Sequence, residues 1–265
     1  MTVGFIGTGN MGGALATAAA KAIAPKDIVL HDHLAEKAAA LAGQLGCASG
    51  SLADAAGCDY IFLGVKPQFL SGLFADLAPV LAQKQSPFVL VSMAAGVCIA
   101  DLRKMAGQDY PVIRIMPNTP ASVGEGMILY AATENVSDQA LEGFRNIMGC
   151  AGVLDPLPEQ LIDAGSAVSG CGPAFACLFL EALADGGVKC GLPRNKALLY
   201  AAQMLLGTAR LAMASGQHPG ALKDAVCSPG GSTIVGVQAL EEHAFRGAVI
   251  DAVEAAFERT KALGK

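Results

Sequence analysis

The segment from Val3 to Gly12 reads VGFIGTGNMG and decides the fold of the first half of the chain. The apolar run Val3–Ile6 predicts a buried strand, and the GxGxxG turn that follows it opens a helical pattern. Gly7 permits the tight turn, Gly9 lets a pyrophosphate approach the backbone, and Gly12 lets helix and strand pack closely. The pyrophosphate would lie on free N–H groups at the helix N-terminus. The segment predicts a dinucleotide-binding unit; a glycine-rich turn without a ligand is the alternative.

The second predicted strand, over 27–31, leads directly into an acidic residue. Asp32 comes about 20 residues after the turn, where dinucleotide-binding proteins place the acid that accepts from both ribose hydroxyls. That role favours NAD, because the carboxylate repels a 2′-phosphate. His31 and His33 flank Asp32 and Lys37 lies in the next helix, so these groups can neutralise a phosphate; the histidines can equally be solvated at a strand end. The choice between NADH and NADPH stays open.

Three further predicted strands end in loops of small or polar residues. The strands are Tyr60–Val65, Phe88–Ser92 and Val112–Met116, and the loops are Gly64–Pro67, Ser92–Gly96 and Met116–Pro120. Ligands of open α/β sheets bind beyond the carboxyl ends of the strands. Small residues there let a flat ring approach the backbone, and Lys66 and Asn118 are the polar groups placed to reach it. The alternatives are a solvated loop charge for Lys66 and a turn-former between prolines for Asn118.

Helical patterns alternate with these strands in the first half of the chain. They run to Ala24, over Leu34–Leu45 and onward from Ile99, and one after Pro67 shows five apolar residues on one face: Phe69, Leu70, Leu73, Phe74 and Leu77. Strands that alternate with helices indicate right-handed βαβ units and a mostly parallel sheet. We therefore predict an α/β fold with an N-terminal doubly wound, Rossmann-type sheet over residues 1–155.

Beyond the Pro-rich joint Leu154–Pro158 the sequence has almost no strand pattern. Predicted helices cover Pro173–Leu183, with breaks near Gly186, Gly187 and Gly191, then Pro193–Ala214, and two more that begin near Thr233 and Ala244. These helices are rich in Ala, Gly and Leu and carry few charges to solvate an exposed face. We predict an all-helical dimerisation domain over 156–265, in which an intertwined dimer buries the excess apolar surface.

The composition excludes several classes of protein. The chain has 265 residues, of which 53% are hydrophobic and 15% charged, and this combination excludes disorder. A net charge of −5 without a basic run argues against a nucleic-acid partner. Mean hydropathy is high at +0.46, yet we expect no membrane span, because only the glycine-rich first 20 residues approach the necessary length. Eight cysteines without a CxxC pair predict reduced thiols in a cytoplasmic protein, and the histidines show no metal-ligand spacing.

The loop Ser228–Thr233, SPGGST, is the third chemical signal, after the glycine-rich turn and the loops at the strand ends. Two glycines before a predicted helix form a nest of backbone N–H groups that suits a small carboxylate, and Ser228, Ser232 and Thr233 add hydroxyls. The alternative is a helix C-cap followed by an N-cap. A nucleophilic serine is not expected, because no histidine partner stands nearby.

Together these motifs resemble the pyrroline-5-carboxylate reductases along nearly the whole chain. The resemblance rests on Phe5–Gly12, Val65–Pro67, Ala94–Val97, Met116–Pro120, Val168–Phe175, Glu181–Gly186, His218–Asp224, Ser228–Thr233 and Leu240-Glu241. It implies reduction of the cyclic imine 1-pyrroline-5-carboxylate to L-proline by NADPH or NADH, the last step of proline biosynthesis. It also implies a homodimer with interlocked helical domains, and rings of dimers.

The resemblance further assigns site residues. Those expected to hold the cofactor are Ile6, Gly7, Thr8, Gly9, Asn10, Met11, Asp32, Ser51, Gly64, Val65, Lys66, Pro67, Met93, Ala94 and Ala95, to which the strand-end argument adds Asn118. Those expected to hold the substrate carboxylate and ring nitrogen are Ser228, Gly230, Gly231, Ser232 and Thr233. The resemblance implies that the substrate lies between the nicotinamide and this loop. Three positions depart from the family pattern: Cys171 replaces a common serine, Phe175 replaces a tyrosine, and Asp32 stands where small polar residues are frequent.

The expected chemistry asks little of the protein. A protonated imine is already a good electrophile, so hydride transfer needs mainly positioning, and the Thr233 hydroxyl can orient or relay the proton. A β-hydroxyacid dehydrogenase is the rival enzyme, but it needs a catalytic lysine on a helix, and the contexts of Lys189 and Lys196 do not fit. A non-enzymatic nucleotide sensor is the other rival, and the intact loop at Ser228–Thr233 argues against it.

Overall fold

The computed structural model describes residues 1–263 and contains one eight-stranded sheet. The strands are β1 (Val3–Ile6), β2 (Ile28–His31), β3 (Ala48–Ser49), β4 (Tyr60–Leu63), β5 (Val89–Ser92), β6 (Val112–Met116), β7 (Gly126–Ala132) and β8 (Gly152–Pro156). Their spatial order is β3-β2-β1-β4-β5-β6-β7-β8, and all neighbours are parallel except the antiparallel pair β6–β7. The chain moves outward from β1 to β3 and then returns to place β4 on the other side of β1. The strand order therefore reverses between β1 and β4, and a ligand of a doubly wound sheet binds at such a point.

The inner strands are buried on both faces, which explains their uninterrupted apolar sequences. Phe5 and Phe62 stack on one face with ring centroids 4.6 Å apart. Leu63 and Leu90 point into the core on the opposite face. Helices supply the rest of both cores, and this confirms the predicted doubly wound Rossmann-type sheet.

Seven helices accompany the sheet within the described residues. They are α1 (Asn10–Ala22), α2 (Ala35–Leu45), α3 (Leu52–Ala56), α4 (Leu70–Gln83), α5 (Ile99–Ala106), α6 (Asp138–Met148) and α7 (Ile162–Ser169). The predicted apolar face of α4 is partly wrong. Pro67 begins a short 3-10 turn that ends at Phe69, and the Phe69 side chain is 61% exposed. The buried face consists of Leu70, Phe74, Leu77 and Leu81.

The Pro-rich joint is part of the sheet. Residues 152–156 form β8, which pairs in parallel with β7. Pro156 is compatible with this strand because β8 lies at the edge of the sheet, where a missing N–H is tolerated. The sequence analysis missed both strands, and the predicted domain boundary at residue 155 stays a prediction.

The chain divides into two compact units. One, here called the sheet unit, comprises Met1–Cys171 and residues 256–263; the other, the helical unit, comprises Gly172–Ala255. The helices not yet given are α8 (Gly172–Lys189), α9 (Arg194–Ser215), α10 (Pro219–Val226), α11 (Ser232–Glu242) and α12 (Phe245–Leu263).

The predicted break of α8 at its paired glycines is wrong. The helix continues through Gly186 and Gly187 to Lys189. A Cβ on Gly187 would lie 3.2 Å from the Cβ of Ala197 and 3.3 Å from a methyl of Leu192, so glycine permits the close approach of α8 and α9. This packing outweighs the intrinsic cost of about 1 kcal/mol for a glycine within a helix. The helix ends before Gly191, which adopts φ +98°.

Two segments of the described chain are long and apolar enough to cross a membrane by length and composition alone. They are Glu159–Lys189 and Arg194–Ser215. In each, 11% of the most apolar 18-residue stretch is buried. The expectation that no stretch reaches this length is therefore wrong. The same two segments carry many of the exposed apolar side chains of the helical unit.

Candidate functional site

The loops predicted to bind a ligand leave the sheet at one edge. Ile6 is level with His31 and with Leu63, and Leu63 is level with Ser92. Parallel strands end on the same side of a sheet, so the segments that follow these residues line that side. The glycine-rich turn after β1 and the loop after β4 flank the point where the strand order reverses.

Three glycines make the turn after β1 compact. Gly7 has φ +97°, and a Cβ on Gly12 would lie 2.1 Å from the Gly7 carbonyl oxygen. A Cβ on Gly64, in the loop after β4, would lie 2.5 Å from the same oxygen. Since backbone atoms cannot move aside cheaply, these contacts hold the turn, the start of α1 and the loop after β4 together without space for side chains.

Gly9 faces open space, and the N-terminus of α1 is free to bind an anion. A Cβ on Gly9 would meet no atom within 4 Å. Gly9 is the N-cap, and within the described chain no side chain caps α1 and no acidic residue stands in its first turn. The N–H groups of Asn10 and Met11 therefore remain available, and the helix dipole favours negative charge there. These residues fit the pyrophosphate of a dinucleotide.

Asp32 accepts three internal hydrogen bonds and lies beside a histidine ring. Its Oδ2 accepts from the Thr8 amide at 2.7 Å and the Thr8 hydroxyl at 3.1 Å. Its Oδ1 accepts from the Leu34 amide at 3.0 Å and lies 2.9 Å from Nδ1 of His33. Burial raises the pKa of the Asp32 carboxyl, but these donors outweigh burial and leave that pKa below its ordinary value. Asp32 is thus an ionised carboxylate that joins the end of β2 to the glycine-rich turn.

Ser51 lies beyond the end of β3 and caps α3. Its hydroxyl accepts from the Asp54 amide at 3.2 Å and donates to Asp54 Oδ2 at 2.7 Å. The Ser51 amide donates to the same carboxylate oxygen at 2.8 Å, and hydrogen bonds from Ser51 hold the pKa of Asp54 below its ordinary value. Ser51 is exposed, and its contact with a cofactor stays a prediction.

The loops after β4 and β5 have the small residues expected of a surface for a flat ring. Lys66 is exposed and precedes the 3-10 turn that begins at Pro67, while Val65 is half-buried. Ala94 is buried, with its amide 3.4 Å from the Ser92 hydroxyl, and the Met93 amide donates to the Leu63 carbonyl at 3.4 Å. The backbone of the loop after β5 is thus held to β4, and the Gly64 amide, which donates to the Ile6 carbonyl at 2.7 Å, holds the loop after β4 to β1.

Asn118 uses both ends of its amide inside the protein. Its Nδ2 donates to the Ser169 carbonyl at 2.9 Å, and its Oδ1 accepts from the Met127 amide at 2.9 Å. The side chain is buried and ties the loop after β6 to the end of α7 and the start of β7. Its observed role is to position this loop, and a direct contact with a cofactor stays a prediction.

The sequence analysis missed Arg114, a buried cation in β6. Its Nη2 donates to Asp163 of α7 at 2.5 Å, and its Nη1 lies 3.5 Å from Glu159. Glu159 also accepts from the Ile99 amide at 2.6 Å, at the first turn of α5. The signal was a single arginine in the otherwise apolar strand VIRIM. Together with Asn118, Arg114 fixes α7 to the sheet at both ends.

The Ser228–Thr233 loop lies within the helical unit. The Gly231 amide donates to the Ser228 carbonyl at 3.0 Å, and Gly230 has φ +67°. This hydrogen bond, with Pro229 and a left-handed glycine between its ends, is the pattern of a type II turn. Helix α11 begins at Ser232 after the N-cap Gly231, and no described side chain caps it. Its first amides are free, as an anion site requires.

Thr233 stands in the first turn of α11, one residue beyond the helix start. It is not the N-cap, because Gly231 occupies that position. Its side chain is exposed, as are those of Ser228 and Ser232. An N-cap role for Thr233 is therefore excluded, and the hydroxyl is accessible to a ligand.

Cys171 and Phe175, which depart from the family pattern, are both partly buried. The Cys171 amide donates to the Ser166 carbonyl at 3.0 Å. Neither side chain brings a hydroxyl to its position. Among the described residues no group of three or more His, Cys, Asp or Glu side chains is placed to hold a metal ion.

Comparison with known proteins covers both halves of the chain. A family model described as pyrroline-5-carboxylate reductase dimerisation matches residues 159–263, and one described as NADP oxidoreductase, coenzyme F420-dependent, matches residues 2–96. The pyrroline-5-carboxylate reductase of Escherichia coli is 39% identical over 99% of this chain and 98% of its own length. That of Pisum sativum is 38% identical over 99% and 96%. The crystal structure of Plasmodium falciparum pyrroline carboxylate reductase with NADP bound has a TM-score of 0.90 and 33% identity, covering 100% of this chain and 98% of that chain.

Proposed function

Because this chain belongs to the pyrroline-5-carboxylate reductase family, we propose that it reduces 1-pyrroline-5-carboxylate to L-proline with NADPH or NADH. The observation that carries the proposal is that two helices of this chain have no side-chain cap at their N-termini. One is α1, which follows the dinucleotide turn, and the other is α11, which follows the exposed SPGGST loop. The first suits a pyrophosphate and the second suits a small carboxylate.

The cofactor site that we propose is built from the loops at one edge of the sheet. The amides of Asn10 and Met11 bind the pyrophosphate, and Gly9 leaves space for it. The small residues Ala94 and Ala95 let the nicotinamide ring approach the backbone. When bound, the reduced nicotinamide supplies the hydride for the C=N bond.

The substrate site that we propose is the Ser228–Thr233 loop. The free amides at the start of α11 bind the substrate carboxylate, with Ser228 and Ser232 as additional donors. The Thr233 hydroxyl lies in the same turn and orients or relays the proton at the ring nitrogen. A fixed carboxylate and a fixed nitrogen define the orientation of a small cyclic imine, so binding alone positions the electrophilic carbon.

In this proposal, the two apolar segments that are long enough to span a membrane instead form the dimer interface. Residues 159–263 match the dimerisation model of the family, and this range contains both segments. A second copy of the chain covers their exposed apolar side chains, and no bilayer is needed. The resemblance to the family also supports rings of dimers and a cytoplasmic location, and sedimentation of the purified protein tests the size of the assembly.

The rival β-hydroxyacid dehydrogenase has little support. Lys189 is the last residue of α8 and Lys196 lies in the first turn of α9, and both side chains are exposed. A catalytic lysine is held in a site closed from water, and neither of these side chains meets that requirement.

One assay separates these functions. Oxidation of NADPH and NADH is followed spectroscopically with the cyclic imine and without substrate, and reduction of the oxidised cofactors is followed with a 3-hydroxy acid. We expect turnover with the imine alone, with proline as the product. Turnover with the hydroxy acid would support the dehydrogenase, and cofactor binding without turnover would support the sensor.

A further inference from the structure

The carboxylate of Asp32 has at most one acceptor site left for a ribose, too few to accept from both of its hydroxyls. A carboxylate offers about four lone-pair positions, two on each oxygen. Thr8 occupies both positions on Oδ2, with its amide at 2.7 Å and its hydroxyl at 3.1 Å. The Leu34 amide donates to Oδ1 at 3.0 Å, and Nδ1 of the exposed His33 ring lies 2.9 Å from the same oxygen.

Burial supports the same conclusion. Asp32 is 8% exposed, whereas His33 beside it exposes 84% of its side chain. A ribose diol that bound to Asp32 through both hydroxyls would have to displace the His33 ring and, in addition, the Leu34 amide or a donor of Thr8. Loss of either amide donor would leave a part-buried N–H without its acceptor, which offsets the gain from a second hydrogen bond to the ribose.

The donors of Asp32 also explain what the residue does. Thr8 lies between Gly7 and Gly9 in the turn, and it meets Asp32 through both its amide and its hydroxyl. The Gly7 amide donates to the His31 carbonyl at 2.7 Å, so the turn is attached to the end of β2 at two successive residues. The conformation of the turn sets the direction of the free amides at the start of α1.

We propose that Asp32 is a positioning residue, which holds the glycine-rich turn to the end of β2 through Thr8 and acts alike on NADH and NADPH. It does not select between the two cofactors by binding the adenosine ribose. The inference rests on the proposed function only in that a nicotinamide dinucleotide binds at this turn.

The test compares cofactor affinities of three variants. Thr8→Val removes the hydroxyl donor and keeps the shape and the charge of Asp32, Thr8→Ser restores the hydroxyl, and Asp32→Asn removes the carboxylate. Dissociation constants for NADH and NADPH are measured by fluorescence titration of the protein without substrate. The titrations are done in 1 M salt, where the Debye length is about 3 Å, so that the lost charge of Asp32→Asn does not by itself favour the 2′-phosphate.

We expect Thr8→Val to weaken both cofactors about tenfold and by factors within about twofold of each other. Asp32→Asn should weaken both by a larger and again equal factor, and Thr8→Ser should recover most of the affinity. Thermal melts of the ligand-free variants separately measure how much the turn contributes to stability. A melting temperature that falls while both affinities stay unchanged would overturn the inference, because Asp32 would then serve stability alone.

A split between the cofactors would also overturn it. If Asp32→Asn weakened NADH and left NADPH unchanged or tighter in 1 M salt, Asp32 would be the ribose acceptor, and the proposed function would stand. If Thr8→Val left both affinities unchanged, the attachment through the hydroxyl would have no role in binding. Wild-type protein that bound neither cofactor would overturn the proposed function and this inference together.

Discussion

The two units of the molecule treat apolar side chains in opposite ways. In the sheet unit, large side chains such as Phe5, Phe62 and Phe144 are fully buried. In the helical unit the only buried hydrophobic residues among those described are Ala184, Ala197 and Ala201, while side chains such as Leu178 and Met213 are 67% and 78% exposed. The sheet unit completes its core within one chain. The helical unit is as apolar in sequence as a buried core, but its own chain is too short to cover these side chains, so a second copy must cover them.

The polar groups show the same contrast. Arg114 and Asp163 form an ion pair in the sheet unit whose side chains are 4% and 26% exposed. Arg194 and Asp185 form one in the helical unit whose side chains are 52% and 60% exposed. Buried pairs are coupled to folding, whereas exposed pairs contribute little. The sheet unit therefore holds its internal geometry by polar contacts as well as by packing.

The largest expected effect follows from a charge on the apolar surface of the helical unit. Leu178→Glu places a carboxylate where a second copy would bury it unpaired, a change that costs several kcal/mol. We expect the dimer to dissociate at micromolar concentration and activity to fall to background. Light scattering and a steady-state assay measure the two consequences.

Val153→Glu is the matched control in the sheet unit, because Val153 is 55% exposed and lies on the edge strand β8. We expect this variant to remain dimeric and active. The milder Leu178→Ser serves if Leu178→Glu does not fold. A folded, active Leu178→Glu monomer would break the comparison, since the helical unit would then be complete without a partner.

The next-largest effect is a loss of cofactor binding, without loss of the fold, when the ligand surface of the sheet unit is changed. Gly9→Val should abolish measurable binding of NADH and NADPH, a loss of about 100-fold or more, because the side chain occupies the place of the pyrophosphate. The fold should persist, since a Cβ at Gly9 meets no atom within 4 Å. Fluorescence titration and a thermal melt measure the two properties.

Gly12→Ala is the informative partner of that variant. Its Cβ would lie 2.1 Å from the Gly7 carbonyl oxygen, so the turn must shift and the melting temperature should fall. If Gly9→Val bound cofactor with unchanged affinity, the turn would be only structural. If Gly12→Ala melted like the wild type, the close packing of α1 on the turn would be unimportant for stability.

Local sequence was enough to predict the elements that repeat the βαβ pattern. The strands over Val3–Ile6 and Val112–Met116 and the helix start at Ile99 agree with the structure, because each shows the periodicity of its type. The strands β7 and β8 were missed. An antiparallel turn back along the sheet interrupts the alternation, and Pro156 disguises an edge strand.

The sequence could not predict which hydrogen-bond partners the polar side chains find in the tertiary structure. Asp32 has the position of a ribose acceptor, but its hydrogen bonds to Thr8 and Leu34 depend on how the turn folds over β2. Asn118 likewise has the position of a ligand-binding residue, whereas in the structure its side-chain amide forms hydrogen bonds with the backbone of Ser169 and Met127. The exposed loop residues carry no such internal partners, so their predicted roles still depend on ligand binding.

Thr233→Ala tests the helical unit as a source of chemistry. The hydroxyl is exposed and Gly231 already forms the N-cap, so its removal should not lower stability, and alanine is the better helix former. If the hydroxyl orients or relays the proton, kcat should fall about 100-fold while cofactor affinity stays the same. Thr233→Ser should recover most of the activity. An unchanged kcat in Thr233→Ala would mean that the loop only binds substrate.

The smallest expected effect compares the two ion pairs directly. Asp163→Asn leaves the buried Arg114 guanidinium with only Glu159 at 3.5 Å, and we expect a loss of about 2 kcal/mol in the free energy of unfolding of the sheet unit. Asp185→Asn removes the partner of Arg194 on an exposed surface and should change stability by well under about 1 kcal/mol. Asparagine is nearly isosteric with aspartate, so both substitutions remove charge with little change in packing, and denaturant titration of the dimeric protein measures them on one scale. Equal losses would mean that the exposed pair is buried in the dimer and belongs to the same closed core. A loss confined to Asp163→Asn would show that polar contacts stabilise only the unit that closes on itself, while the helical unit depends on the apolar surface that its partner covers.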